Sequence, residues 1–159
     1  MTTAVICAWC DKQIHPGDDS KPSFHGICVQ CIGRERGLED LTHLSQEALD
    51  SLPFGVIRLD GAGKVIAYNQ TEAGFSRLEP ANVIGKNFFR EVAPCARVKE
   101  FAGTLEDFRA ARKSGRKRIS FVFTFPHGAL WMSIALTYDA ATDTSTLLVR
   151  PLAQESAAD

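Results

Sequence analysis

The sequence has no apolar run long enough to span a bilayer, and its start, MTTAVICAWC, lacks the charged region, apolar core and cleavage site of a secretory leader. These absences predict a cytoplasmic protein that does not engage a membrane. There is no excess of charge of either sign: 18 basic residues stand against 19 acidic ones, so no bulk field recruits nucleic acid or an anionic surface. No Ser-His-acid pattern, phosphate-cradling glycine loop or open three-ligand metal site is present, so no enzymatic activity is predicted. With 159 residues, 45% of them hydrophobic, the chain has room for one compact domain and a small satellite.

Four of the five cysteines form two CxxC pairs, Cys7 with Cys10 and Cys28 with Cys31, with seventeen residues between the pairs. In a reducing compartment such pairs are metal ligands or redox thiols rather than structural disulfides. Two knuckles at this distance let four thiolates converge tetrahedrally on one zinc ion, which closes the coordination sphere and makes the site structural. A redox dithiol pair and an iron–sulfur cluster also fit the spacing, which does not select the metal. The spacer DKQIHPGDDSKPSFHGI is polar and rich in Pro and Gly, so metal binding is expected to supply much of its folding energy. His25 is expected beside the ligands, hydrogen-bonded to one of them or simply packed. The pattern CAWC…SFHGICVQC resembles a cysteine-rich segment found beside sensor and receiver domains of bacterial signalling proteins.

After Arg34 the leucines Leu38, Leu41, Leu44, Leu49 and Leu52 recur near helical spacing, which predicts a linker or cap helix ended by Pro53. FGVIRLDGAGKVIAYN reads as a hairpin around an Asp-Gly turn. RVKEFAGTLEDFRAARKSG reads as an amphipathic helix closed by Gly115. Three strands follow: in RISFVFTF the residues Ile119, Phe121, Phe123 and Phe125 share one face, and ALWMSIALTYD and TSTLLVRPL come after it. Two strands, short helices, a longer helix and three strands make an α+β fold: an antiparallel five-stranded sheet with helices on one face. The basic run Arg109, Arg112, Lys113, Arg116, Lys117 and Arg118 reads as a solvated helix end, because no aromatic residue interleaves it as a base-stacking surface requires.

The fifth cysteine, Cys95, stands alone after Pro94 in VIGKNFFREVAPC. From about Leu49 to Leu152 the order of elements resembles the PAS domain. AYNQTE followed by VIGKNFFREVAPC and EFAG is similar to photoactive yellow protein. That resemblance implies a blue-light sensor carrying 4-hydroxycinnamic acid as a thioester on Cys95. Tyr68 and Glu72 would hydrogen-bond the buried phenolate, Ser76 would support Tyr68, and Arg77, Pro94 and Phe125 would complete the pocket. It implies a protein signalling partner or self-association. A phenolate removed from water needs donors, and a carboxyl group is one only where burial keeps it protonated. The residues admit a blander account: Asn69 followed three positions later by Glu72 is also a helix N-cap with an acidic N3 residue, which needs no pigment. A chromophore-free, zinc-stabilised interaction or redox-sensing module is the alternative. Two departures from the family pattern stand out: Leu78 occupies the usual position of an arginine that covers the pocket, and FPHGALW is shorter than the loop that ordinarily supplies a methionine speeding recovery. Neither His127 nor Met132 is expected to reach that methionine's place, so the departures imply slower dark recovery than the family norm. The expected organisation is residues 1–36 as the metal-binding-like module, 37–53 as linker or cap helix, 54–152 as the PAS domain and 153–159 as a flexible tail.

Overall fold

The computed structural model describes residues 3–32 and 44–152; Leu38, Leu41 and the 153–159 tail lie outside the described residues, as does the side chain of His25. The first piece contains β1 (Thr3–Cys7), β2 (Gln13–His15), β3 (Asp18–Gly26) and the single turn α1 (Val29–Ile32). The strands form a sheet of order β2-β1-β3, so the polar spacer carries strands that its composition did not announce.

The second piece begins with α2 (Gln46–Asp50), a helix of one turn and a half capped by Ser45, whose side chain accepts from the Ala48 N–H. It ends at Ser51, two residues before Pro53. The hairpin β4 (Gly55–Leu59) and β5 (Val65–Tyr68) follows. Its turn is held by Asp60, whose carboxylate accepts from the N–H groups of Ala62 and Lys64 at 2.9 Å each. Helices α3 (Gln70–Ser76) and α4 (Pro80–Val83) lead into a π-helical turn at Phe88–Val92, a 3₁₀ turn at Pro94–Ala96 and a second π-helical turn at Lys99–Gly103. Helix α5 spans Thr104–Ala111. It stops earlier than expected because Arg112 takes a left-handed conformation (φ 51°) as its C-cap; Gly115 instead opens β6. Strands β6 (Gly115–Phe125), β7 (Gly128–Asp139) and β8 (Thr144–Pro151) complete an antiparallel sheet of order β5-β4-β8-β7-β6.

Strand alternation sends side chains to both faces, and each face is covered by something different. Ile57, Leu59, Met132, Ile134, Leu136, Leu147 and Val149 point towards the helices, where Phe88, Phe101 and Leu105 meet them. The expected phenylalanine face of β6 is there: Phe121 and Phe123 are buried, and Ile119 and Phe125 pack against the same core. Phe101 is its centre, with edge-on contacts to Phe89, Phe121 and Phe123 at centroid distances of 5.7, 5.2 and 6.1 Å. Val56, Ala135 and Leu148 point the other way and are covered by Leu49, Leu52 and Phe54 together with Cys7, Ala8, Trp9, Ile27 and Cys28. The cysteine-rich module therefore shares a core with the main domain.

Arg109, Arg112 and Lys113 of the basic run stand exposed at the end of α5 as expected, but its later members have a different role. Arg116 and Arg118 belong to strand β6, not to a helix end. Arg116 is largely buried (14% exposed), donates to the Ala8 carbonyl at 3.0 Å and pairs with Asp11 at 2.5 Å. Arg118 donates to the Trp9 carbonyl and pairs with Asp11 at 2.8 Å. Arg150, from β8, lies over the Trp9 ring at 4.1 Å. The charges bind the module to the sheet.

Candidate functional site

Two clusters of chemistry-bearing residues are brought together. At the first, the sulfur atoms of Cys7, Cys10, Cys28 and Cys31 all lie within 4.8 Å of one another, and all four thiols are free. Cys10 and Cys28 sulfurs are 3.5 Å apart. Four thiolates around one ion with metal–sulfur distances near 2.3 Å stand about 3.8 Å apart, which a small contraction of this cluster reaches, so it is compatible with a zinc-knuckle-like module. Burial raises the Cys28 thiol, but the Cys31 backbone hydrogen bond and the neighbouring thiols outweigh it and hold it near 7. Burial and the same neighbours push Cys31 upward.

The second cluster is built around α3. Strand β5 ends at Tyr68, whose hydroxyl lies 2.7 Å from the Ser76 hydroxyl; Ser76 also accepts from the Leu78 N–H at 3.2 Å. Asn69 is fully buried and makes four hydrogen bonds. Its Oδ1 accepts from Glu72 N–H (3.1 Å) and Val56 N–H (2.9 Å), and its Nδ2 donates to the carbonyls of Leu49 (2.7 Å) and Phe54 (3.0 Å). Asn69 thus caps the helix, but the reciprocal half of a capping box is missing. Its own N–H donates to the Val56 carbonyl at 3.2 Å rather than to the Glu72 carboxyl.

The Glu72 carboxyl instead turns into the interior. Its side chain is 3% exposed, and its Oε1 is buried with no hydrogen-bond partner. Burial alone pushes its pKa up to about 8, so at neutral pH it is a neutral acid with a proton to donate. Gly55 is its wall: a Cβ there would stand 2.2 Å from Glu72 Oε1. Burial, followed by the proximity of Glu72, pushes the Tyr68 phenol up as well.

The other expected residues are placed less uniformly. Cys95 is half-buried in the 3₁₀ turn and packs against the core that contains Tyr68. Phe125 packs against that core too, stacked between Phe123 (5.7 Å) and His127 (5.1 Å). His127 reaches the carbonyl of Phe75 with its Nε2 at 3.0 Å, which ties the short β6–β7 connection to the end of α3. Met132 is a core residue, 1% exposed. Pro94 is exposed, and Arg77 is an exposed left-handed C-cap of α3 (φ 61°) beside Leu78. A surface cleft of about 520 Å³ near Asn87, Arg90 and Arg97 is lined by none of the expected pigment-site residues. Gly55 and the four-bonded Asn69 went unread as site residues in the sequence; the signal for Gly55 was a glycine just inside a strand, which marks a close approach.

The five-stranded antiparallel sheet with helices across one face is the PAS fold, and residues 44–138 match that family. Photoactive yellow protein of Halochromatium salexigens is 40% identical over 87 residues, covering 55% of this chain and 67% of that protein. Photoactive yellow protein of Cereibacter sphaeroides is 37% identical over 90 residues, covering 57% and 70%. The photoactive yellow protein domain of the sensor histidine kinase Ppr from Rhodospirillum centenum superposes with a TM-score of 0.64 at 34% identity, covering 67% of this chain and 93% of that domain. The chain belongs to the photoactive yellow protein family of PAS domains, a kinship that supports a photosensory signalling role.

Proposed function

We propose that the chain is a blue-light sensor carrying 4-hydroxycinnamic acid as a thioester on Cys95, with one zinc ion held structurally by Cys7, Cys10, Cys28 and Cys31. The observation that carries the reading is Glu72, a buried acid with an oxygen left unpartnered beside Tyr68, where a helix-capping role would have turned it back to Asn69. A buried orphan acceptor is costly and persists where function uses it. Kinship with photoactive yellow proteins supports the pigment; the sulfur cluster supports zinc.

Attachment forms a carbon–sulfur bond from the Cys95 thiolate to an activated hydroxycinnamoyl carbonyl, with the activating group leaving with its electron pair. When bound, the pigment supplies a phenolate and a double bond that light isomerises. Tyr68, oriented by Ser76, and protonated Glu72 would be the two donors to the phenolate oxygen. Phe125, with His127 stacked on it, flanks the pocket. Arg77 and Pro94, both exposed, would stand at its rim. With the pigment in place Glu72 would pass its proton to the phenolate oxygen, which would leave a carboxylate with no ionic partner in an apolar wall. That charge strains α2 and the 49–54 segment, which a protein partner or a second copy then reads. The chain acts as a signalling module without catalysis of its own.

The test is reconstitution of the full chain with an activated hydroxycinnamate. The expected product is yellow, bleaches reversibly in blue light, gains the mass of one hydroxycinnamoyl group and loses it to hydroxylamine; Cys95→Ala loses all of these. Folded protein with a free Cys95 thiol that takes up no pigment, under conditions that load a photoactive yellow protein, overturns the reading.

A further inference from the structure

The segment 49–55 faces two ways. Outward, Leu49, Leu52 and Phe54 belong to one apolar cluster with Cys7, Ala8, Trp9, Ile27 and Cys28, so the two cysteine knuckles and this segment share a core. Inward, the carbonyls of Leu49 and Phe54 take both Nδ2 protons of Asn69, the Leu52 carbonyl accepts from the Thr71 hydroxyl at 2.6 Å, and Gly55 closes against the Glu72 carboxyl. Helix α2 joins the same contact from one side: Gln46 donates to the Tyr68 carbonyl at 3.1 Å, and Asp50 accepts from the Gln70 N–H at 2.8 Å. The first knuckle is in turn fastened to the sheet by Arg116, Arg118 and Arg150.

We propose that the four-cysteine centre is a second input to this sensor: a soft divalent cation on the thiolates is coupled, through segment 49–55, to the state of the Glu72 pocket. The inference rests on the metal reading of the four thiols and not on the pigment. The physical reason is that one thin layer of chain is shared by both sites. A metal ion closing four thiolates fixes the turns at Cys7–Cys10 and Cys28–Cys31, whose buried residues share one apolar cluster with Leu49, Leu52 and Phe54. Without that cover, the wall at Gly55 is held by Asn69 and by the β4 pairings. In the other direction, anything that pushes the Gly55 wall away from Glu72 pushes it under the knuckles. The coupling is a free energy, so it acts equally in both directions. A rigid element that both sites bias is the physical requirement for such coupling.

The test perturbs the Glu72 side and reads the metal. The full chain is loaded with zinc to one equivalent, and zinc release into excess chromogenic chelator is timed. Gly55→Ala drives a methyl group into Glu72 Oε1. It is expected to speed release about tenfold, towards the lower end of the range for coupled sites, because a loss of affinity falls mostly in the off-rate. Glu72→Ala alone is expected to stay within about threefold of wild type, short of that range. The double variant Gly55→Ala/Glu72→Ala removes the clashing oxygen, leaves a 3.1 Å contact to the Glu72 Cβ, and is expected to return close to the Glu72→Ala rate. Asp11→Asn, which keeps all four thiols, covers the case of a Gly55→Ala chain that does not fold. With zinc bound, its 54–57 amides are expected to exchange faster than in wild type, because Asp11 holds both Arg116 and Arg118. Equal release from Gly55→Ala and wild type, equal acceleration in the double variant, or unchanged exchange in Asp11→Asn overturns the coupling. A folded wild-type chain that takes up no zinc overturns the metal reading along with it, and the stoichiometry separates the two failures.

Discussion

Replacing Glu72 by glutamine removes the one titration that burial shifts most consequentially. The Glu72 carboxyl has an ordinary pKa of 4.5 and is raised to about 8 by desolvation. Between those values the native state keeps a proton that the unfolded chain has released. Native protein therefore binds more protons than unfolded, and stability falls as pH rises through this window. At about 1.4 kcal/mol per pKa unit the loss has a ceiling of about 5 kcal/mol by pH 9, reduced where water or backbone relaxation reaches the carboxylate. Glutamine has no such titration. It leaves the buried oxygen in place and adds an amide donor, so Glu72→Gln is expected to start less stable than wild type near pH 5 by about 1–2 kcal/mol. The two curves should cross as the pH climbs. The assay is guanidinium unfolding of both proteins followed by tryptophan fluorescence from pH 5 to 9, with all other titrations common to the pair. Parallel curves would refute the claim that Glu72 is held neutral by burial.

Four further outcomes follow from the same geometry. Asn69→Ala strands two carbonyls and two N–H groups in the interior and is expected to cost about 3–5 kcal/mol in denaturant unfolding, more than an ordinary cap. Phe101→Ala empties the centre of the aromatic cluster and should cost about 3–5 kcal/mol by the same measurement, whereas Trp131→Lys, at a position 61% exposed, should change stability by less than about 0.5 kcal/mol. Metal analysis should find about one zinc per chain, and Cys28→Ser or chelation should release it. Removing the metal is then expected to loosen Trp9 and segment 49–54 while the Phe101 core stays folded, which near-ultraviolet circular dichroism and hydrogen exchange resolve by region. In pigment-loaded protein, Glu72→Gln is expected to shift absorption to longer wavelength, because a weaker donor leaves more charge to delocalise from the phenolate.

Sequence by itself determined whatever depends on short-range pattern. The period-two phenylalanines of β6, the Asp60 turn, the Asn69 cap and the two CxxC pairs are local, so the five-stranded α+β fold and the four-thiol cluster were legible from residue order. The Tyr68, Glu72, Ser76 and Cys95 register is what the resemblance implies; of its members, Tyr68 and Ser76 share a hydrogen bond. Tertiary structure decided where long-range partners lie. Arg116 and Arg118 read as solvent-facing charges until a knuckle more than a hundred residues away proved to be their acceptor. Gly55 read as a plain strand residue until Glu72 closed on it from the neighbouring helix. The Glu72 carboxyl itself had two local possibilities, the helix cap or the interior. Local pattern could not choose between them, because the energy that decides is desolvation, which exists only once the sheet, the helix and the 49–55 wall have excluded water from around it.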